Sequence, residues 1–418
     1  MKILWFTPIP PKAALERRGR SPNSTGFWIH ALIDLLAERK DLQLGVAYEE
    51  HGDLTPFSRE GVEYFPLPAL SKVRAICGWE VGHQEKILRA AGALIERYAP
   101  DVVHVHGFES SFGLIKSAQV TAKPVVVSIQ GMMEPWGRVA WGNKSFWEVV
   151  WTQRSWDLIR GFPSLRSKSM FARKARAEKQ MIRTVDAVLG RTDFDRSFAW
   201  AVAPQTAYFE VGEILRNGFY GSTWTLSESD PFTIFTSGRI NFQKGIHMAI
   251  EAVAILKQVF PRIRLKVGGG LHAAGECLFM KRYADRLGVG QNVEFLGWIP
   301  EDQIVKHLKA SRVYINPSFI ENSSNALAEA MLLGMPCVAS IVGGTGSLMS
   351  HGLNGLLYPA DQPAMLADSI RRYLEGPEYA VALGGAARTC ALARHDRAHI
   401  VESLLRAYRS VVTKAAVS

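Results

Sequence analysis

Short apolar runs rich in Val, Ile and Phe recur along this chain, and stretches with apolar residues every three or four positions separate them. The runs read as strands and the spaced stretches as amphipathic helices. In the first half the strand runs fall at 2–7, 42–48, 62–66, 101–106, 123–129 and 186–190. In the second they fall at 208–214, 232–236, 263–268, 293–297, 313–316, 336–340 and 355–358. Helices are expected at 28–39, 84–98, 246–259, 325–333 and 364–374; Ile246, Ile250, Val253 and Leu256 give the third its apolar stripe. This alternation is the pattern of parallel α/β sheets. A chain of 418 residues exceeds what one core usually holds, so two such domains are expected. A helix-like segment ends at Ala203-Pro-Gln-Thr-Ala207 before a new strand, dividing the chain into 1–205 and 206–394. Residues 395–418 form a last piece, helical over 398–412.

One segment departs from the pattern. Residues 132–183 carry Trp136, Trp141, Trp147, Trp151 and Trp156, and eleven Lys/Arg against four Asp/Glu leave a local charge of +7. Two readings stand side by side. The segment docks on anionic lipid headgroups, where Trp and basic residues are favoured, or it is a helical elaboration that packs its tryptophans internally. Elsewhere composition changes little: 47% apolar and 21% charged residues describe an ordinary globular protein. Cys77, Cys277, Cys337 and Cys390 form no CxxC pair and read as reduced, buried thiols of a cytosolic protein. No apolar run reaches the ~18 residues of a membrane span. The formal net charge of +10 suits a phosphate-rich partner: a nucleotide, a nucleic acid or an anionic membrane face.

The richest candidate chemistry is Glu321-Asn-Ser-Ser-Asn-Ala-Leu-Ala-Glu329. One carboxylate precedes a helix and the other lies within it, with Ser323, Ser324 and Asn325 supplying N-cap chemistry. A helix N-terminus at the mouth of a parallel sheet is an anion site, so the segment suits a ligand that is phosphate in the middle and polyol at both ends. An ordinary strand-to-helix turn with two surface carboxylates is the plainer alternative. Ser237-Gly-Arg-Ile-Asn-Phe-Gln-Lys-Gly245 places Gly238, Arg239 and Lys244 at a second strand-to-helix turn, where both cations suit one pyrophosphate. Gly268-Gly-Gly270 ends a further strand and permits close backbone approach, Gly269 at its centre. In the first half His104 reads as a core residue and His106 as either structural or in touch with substrate; Gln130 ends the neighbouring strand and Gly26 opens a helix. His104 and His106 lack carboxylate or thiol partners, so no metal site is expected. Asp193-Phe-Asp195 is better read as helix capping than as a metal motif.

The second half resembles retaining glycosyltransferases of the GT-B fold, family 4 (glycosyl transferases group 1). The resemblance runs through Ser237-Gly-Arg239, Lys244-Gly245, Val267-Gly-Gly-Gly270, Val293-Glu-Phe-Leu-Gly297, Asn316-Pro-Ser318, Glu321 with Glu329, Gly343-Gly344 and His351-Gly-Leu-Asn-Gly355. The first half is similar more loosely, through Gly26, His104-Val-His-Gly107 and Gly131-Met-Met-Glu-Pro-Trp136. The resemblance implies two Rossmann-like domains facing a central cleft, an acceptor held by 1–205, a nucleotide-sugar held by 206–394, and a last helix crossing back to the first domain. It implies that Arg239 and Lys244 bind the donor pyrophosphate, Glu321 the sugar hydroxyls and Glu329 the nucleotide ribose. Backbone amides of Ser324, Asn325 and Ala326 would add to the phosphate site, and Arg239, Lys244, Glu321 and His106 would carry catalysis. No metal and no cofactor beyond the donor substrate are implied. The implied partners are a UDP- or GDP-linked donor and a glycan or polyprenyl-linked acceptor, not nucleic acid. The implied setting is the cytoplasm, at the inner membrane face through 132–183, in surface polysaccharide or lipopolysaccharide synthesis. The family often has His where Gln130 stands and Glu where Ser347 stands. A sugar-nucleotide epimerase of the same architecture and a basic membrane-binding module are the alternatives.

Overall fold

The computed structural model describes residues 1–20, 26–69, 81–108, 110–152, 163–270 and 274–417. Ser24, Thr25, Cys77, Trp156 and His272 lie outside them. The chain divides into two compact units, Met1–Glu134 with Ala172–Ile214 and Asp396–Ser418, and Pro135–Phe171 with Leu215–His395.

The first unit is built on β1 (Lys2–Thr7), β2 (Gln43–Glu50), β3 (Phe57–Arg59), β4 (Val62–Pro68), β5 (Val102–His106), β6 (Val125–Ser128), β7 (Ala187–Gly190) and β8 (Ala207–Glu210). They form one sheet in the order β3-β4-β2-β1-β5-β6-β7-β8. Every pairing is parallel except β3 with β4, a hairpin closed by Glu60 and Gly61, both at positive φ. Such a two-residue turn matches the twist of its strands; at three residues β3 is too short for its periodicity to show. The central parallel strands β1, β5, β6 and β7 are buried because helices cover both faces. The helices Phe27–Ala37 and Arg397–Val417 contribute Leu32, Leu36, Leu404 and Tyr408 to one core cluster.

The second unit holds β9 (Asp230–Ser237), β10 (Arg264–Gly268), β11 (Val293–Gly297), β12 (Ser311–Asn316), β13 (Cys337–Ser340) and β14 (Leu356–Tyr358), all parallel, in the order β11-β10-β9-β12-β13-β14. This winding starts at β9, runs outward to β11, then returns to the other side, the Rossmann arrangement. Ile246, Ile250, Val253 and Leu256 of the helix Ile246–Leu256 pack on it.

Three expectations are corrected. The strand at 207–210 pairs in parallel with β7, so the junction falls after Ile214 and not at 205. The segment 135–171 packs with the second unit although 1–205 was expected to hold it. There Val149 is fully buried in the core, Trp141 packs against the same cluster, and Gly142 approaches the carbonyl of Phe242 in a left-handed conformation. Asn143 accepts from His247 at 2.8 Å and donates to Asp361 at 2.6 Å. Third, Cys277 and Cys337 are buried thiols, but Cys390 is exposed.

His247 lies flat on Phe319 at 5.6 Å. Burial, aided by Lys144, pushes its imidazole down to about 3. The unfolded chain takes up that proton near 6.5, so the stability His247 confers is complete above 6.5 and is lost as pH falls toward about 3. Denaturant midpoints are therefore expected to fall on acidification through this window. His247→Phe, which keeps the ring stack, should flatten that fall; an unchanged slope would show that His247 is not buried neutral. Gly142→Val is expected to lower the melting temperature, because an added Cβ would lie 2.7 Å from the Phe242 oxygen. Strain of this kind costs about 1–3 kcal/mol.

Candidate functional site

In the second sheet the order of strands reverses between β9 and β12, and the loops leaving their carboxyl ends meet there. The β9 loop passes Gly238 and Arg239 into a short 3₁₀ turn, Phe242–Lys244, where Asn241 Oδ1 accepts from the Lys244 amide at 2.9 Å. Gly245 follows at φ 65°; a Cβ there would stand 1.8 Å from the Pro317 oxygen of the β12 loop. Gly269 is equally constrained, since its Cβ would reach 1.6 Å from the Gly238 oxygen. The glycines let the chain segments touch, and this close approach brings Lys244 to the β12 loop.

Lys244 Nζ lies 2.5 Å from Glu321 Oε1, and Ser318 Oγ donates to the same oxygen at 2.6 Å. Glu321 is buried, and Oε2 is the carboxylate oxygen left for a ligand hydroxyl. The Glu321 carbonyl accepts from Gly344 at 3.0 Å, fixing the loop against the one that follows β13. Three residues on, Ser324 caps the helix Asn325–Leu333 by accepting from the Leu327 amide at 3.4 Å. Its carbonyl takes the Ala328 amide at 2.9 Å. The amides of Asn325 and Ala326 are then the first-turn donors that stand ready for an anion. Arg239, at the β9 turn, is exposed and forms no ion pair among the described residues. The structure thus joins Lys244 and Glu321 directly but shows no contact between Lys244 and Arg239.

Glu329, expected to meet the nucleotide ribose, has a partner within the protein. It is buried, and both of its oxygens accept from Arg216, Oε1 from Nε at 2.7 Å and Oε2 from Nη2 at 2.5 Å. Burial raises the Glu329 carboxyl above its ordinary value while the guanidinium opposes that rise. A carboxylate gripped on both oxygens is a structural anchor first, with only its remaining lone pairs open to a ribose. Sequence reasoning missed Arg216 and Ser318. The available signals were the Arg216-Asn-Gly218 stretch and the Asn316-Pro-Ser318 motif.

In the first unit the strand order reverses between β1 and β5. His106 ends β5, buried, its ring 4.4 Å from Trp5, 5.4 Å from Trp28 and 3.9 Å from His104. Neither ring nitrogen has a hydrogen-bond partner. Burial pushes its imidazole down to about 3, so it is neutral. Beyond β6 and β7, Arg191 donates to the Ile129 and Gln130 carbonyls at 3.0 and 3.2 Å and pairs with buried Glu213. Gly26, at φ 82°, begins the helix Phe27–Ala37, and a Cβ there would lie 2.6 Å from Ile9. Thr192 and Asp195 form a reciprocal capping box at the helix Asp193–Val202. Among the described residues no three His, Cys, Asp or Glu groups are placed to share a metal ion, and no helix is long and apolar enough to cross a membrane.

Residues 225–389 match the family described as glycosyl transferases group 1. A D-inositol 3-phosphate glycosyltransferase from Corynebacterium urealyticum is 30% identical over 182 residues, covering 42% of this chain and 42% of that protein. The match thus spans about two fifths of the relative's length. Among solved structures, sucrose-phosphate synthase from Thermosynechococcus elongatus superposes with a TM-score of 0.74 at 17% identity, over 99% of this chain and all of that one. Anabaena HepE in complex with UDP-glucose gives 0.68 at 18% identity, over 98% of this chain and all of that one. These likenesses fix the fold as GT-B, and residues 225–389 are similar to the glycosyl transferases group 1 family.

Proposed function

We propose that the chain is a retaining, metal-independent glycosyltransferase that moves a hexosyl group from a UDP- or GDP-linked donor to a glycan or lipid-linked acceptor in surface polysaccharide or lipopolysaccharide synthesis. The observation that carries this reading is the buried Glu321 carboxylate, held at 2.5 Å by Lys244 beside the N-terminus of the helix Asn325–Leu333. A cation, a helix terminus and a carboxylate in that order suit the phosphate and then the sugar of a nucleotide-sugar. The complex of HepE with UDP-glucose is a precedent on the same fold.

In this reading the bond between the sugar C1 and the phosphate oxygen breaks, and charge builds on the departing diphosphate. Lys244, Arg239 and the amides of Asn325 and Ala326 stabilise that charge. The acceptor hydroxyl bonds to C1 from the same face and passes its proton to the departing phosphate oxygen. Glu321 Oε2 holds donor sugar hydroxyls. The enzyme works at the cytoplasmic membrane face, and Phe146 and Trp147 support this: they are 49% and 69% exposed and meet edge to face at 5.3 Å.

A screen of UDP, GDP and ADP by thermal shift is expected to show one diphosphate stabilising the chain by about 2.7 kcal/mol at 100 Kd. Glu321→Gln and Arg239→Ala should each lower the transfer rate by about 10²–10³ and leave the fold intact. Near-normal transfer in both variants would end the assignment. The glycoside formed should keep the donor's anomeric configuration by NMR, whereas an isomerised free sugar-nucleotide would mark an epimerase. Trp147→Ser should weaken co-sedimentation with vesicles containing anionic phospholipid, and unchanged binding would refute the membrane contact.

A further inference from the structure

The stretch 135–152 belongs to the aromatic, basic segment, and the proposed transferase uses only its Phe146 and Trp147. Its first half touches both loops that carry the Lys244–Glu321 pair. Gln243, next to Lys244, donates from Nε2 to the Trp136 carbonyl at 3.1 Å, across 107 positions of sequence. The Gln243 carbonyl accepts from the Phe319 amide at 2.7 Å, which joins the β9 loop to the β12 loop just before Glu321. Gly142, at φ 59°, closes over the same place. It approaches so near that a Cβ would lie 2.7 Å from the Phe242 oxygen and 3.2 Å from the Phe319 ring. Phe242 and Phe319 are both buried.

A second arm runs beside the first. Asp361 offers a carboxylate, which can only accept, so the Asn143 amide nitrogen faces it at 2.6 Å. The Asn143 oxygen is then the atom that faces His247 Nε2 at 2.8 Å, and Nε2 carries the ring proton. Held by that bond, the His247 ring lies within 7° of parallel to the Phe319 ring, their centroids 5.6 Å apart. Its Nδ1 is buried without a partner, so among the described residues the Asn143 bond is the polar contact that orients this ring.

We propose that residues 136–143 clamp the turn Phe242–Lys244, with Gln243 and Asn143 as positioning residues that hold Lys244 and Glu321 at their spacing for a nucleoside diphosphate. Gly245 lets the two loops approach, but a glycine removes an obstacle without holding anything. A three-residue 3₁₀ turn has few bonds of its own to fix it. Lysine adds a flexible four-carbon stem, so the position of its ammonium depends on how firmly the backbone beneath is held. A binding constellation keeps its geometry to about 0.5 Å only when the residues around it are themselves locked. Gln243 locks the turn from one side, and His247, oriented by Asn143, locks Phe319 from the other. The ligand named for this clamp rests on the transferase reading.

Hydrogen exchange on the full, ligand-free chain reads the clamp directly. Gln243→Met keeps the side-chain volume and removes the donor, and exchange at the Lys244 and Phe319 amides should rise about tenfold. Asn143→Leu, whose bonds lie nearer solvent, should raise it about threefold. The amides within β9 and β12 should stay protected, which shows that both variants fold. Titration of UDP, GDP and ADP, each beside its parent nucleoside, reads the consequence. Gln243→Met should weaken the diphosphate that binds about tenfold and leave its nucleoside unchanged. Unchanged exchange at both amides overturns the clamp. Unchanged diphosphate affinity, or an equal loss for diphosphate and nucleoside, overturns the positioning role. A wild-type chain that binds none of the three diphosphates ends the transferase reading, and the exchange measurement still decides the clamp.

Discussion

The contact between Gly245 and the Pro317 carbonyl governs the second unit's chemistry. Two loops leave neighbouring parallel strands on either side of the point where strand order reverses, and any side chain at 245 would push them apart. Because nothing intervenes, the residue just before the glycine meets the loop that carries Glu321. The pair then satisfies itself: a buried carboxylate is costly alone, and Lys244 and Ser318 both answer it at the same oxygen. The arrangement leaves one oxygen uncommitted beside a helix N-terminus, so preorganisation and an open valence come from one steric constraint.

The two units share a winding rule and fill it with opposite chemistry. At the second reversal point the strand ends carry a cation, a carboxylate and capped helix amides. At the first they carry Trp5, two neutral histidines with rings tilted by 38°, a serine and the buried Arg191–Glu213 pair. A set of charges favours phosphate, and neutral directional donors beside aromatic rings favour hydroxyls.

Much of this was legible in the chain. Parallel strands buried on both faces make continuous apolar runs, so the strands came out within a few residues, and the helix Asn325–Leu333 announced itself through Ser324 and Gly334. What stayed hidden was partnership across distance. Nothing local ties Arg216 to Glu329, which are 113 residues apart, so the Arg216 contact to both Glu329 oxygens could not be read from the chain. The same blindness affected the junction: the strand at 207–210 looks like the start of something new, and only its pairing with β7 shows that it completes the first sheet. His106 was ambiguous for a related reason, since its lack of partners is a property of its surroundings.

The aromatic, basic segment divides between residues that pack internally and residues that stay exposed. Trp141 and Val149 belong to the second unit's core, and Lys168 lies 3.9 Å over the Trp141 ring. These residues behave as an internal elaboration. Phe146 and Trp147 on the same short helix face solvent. A helix of six residues gains little stability by itself, so its capping box at Ser145 and the burial of Val149 are what hold it in place.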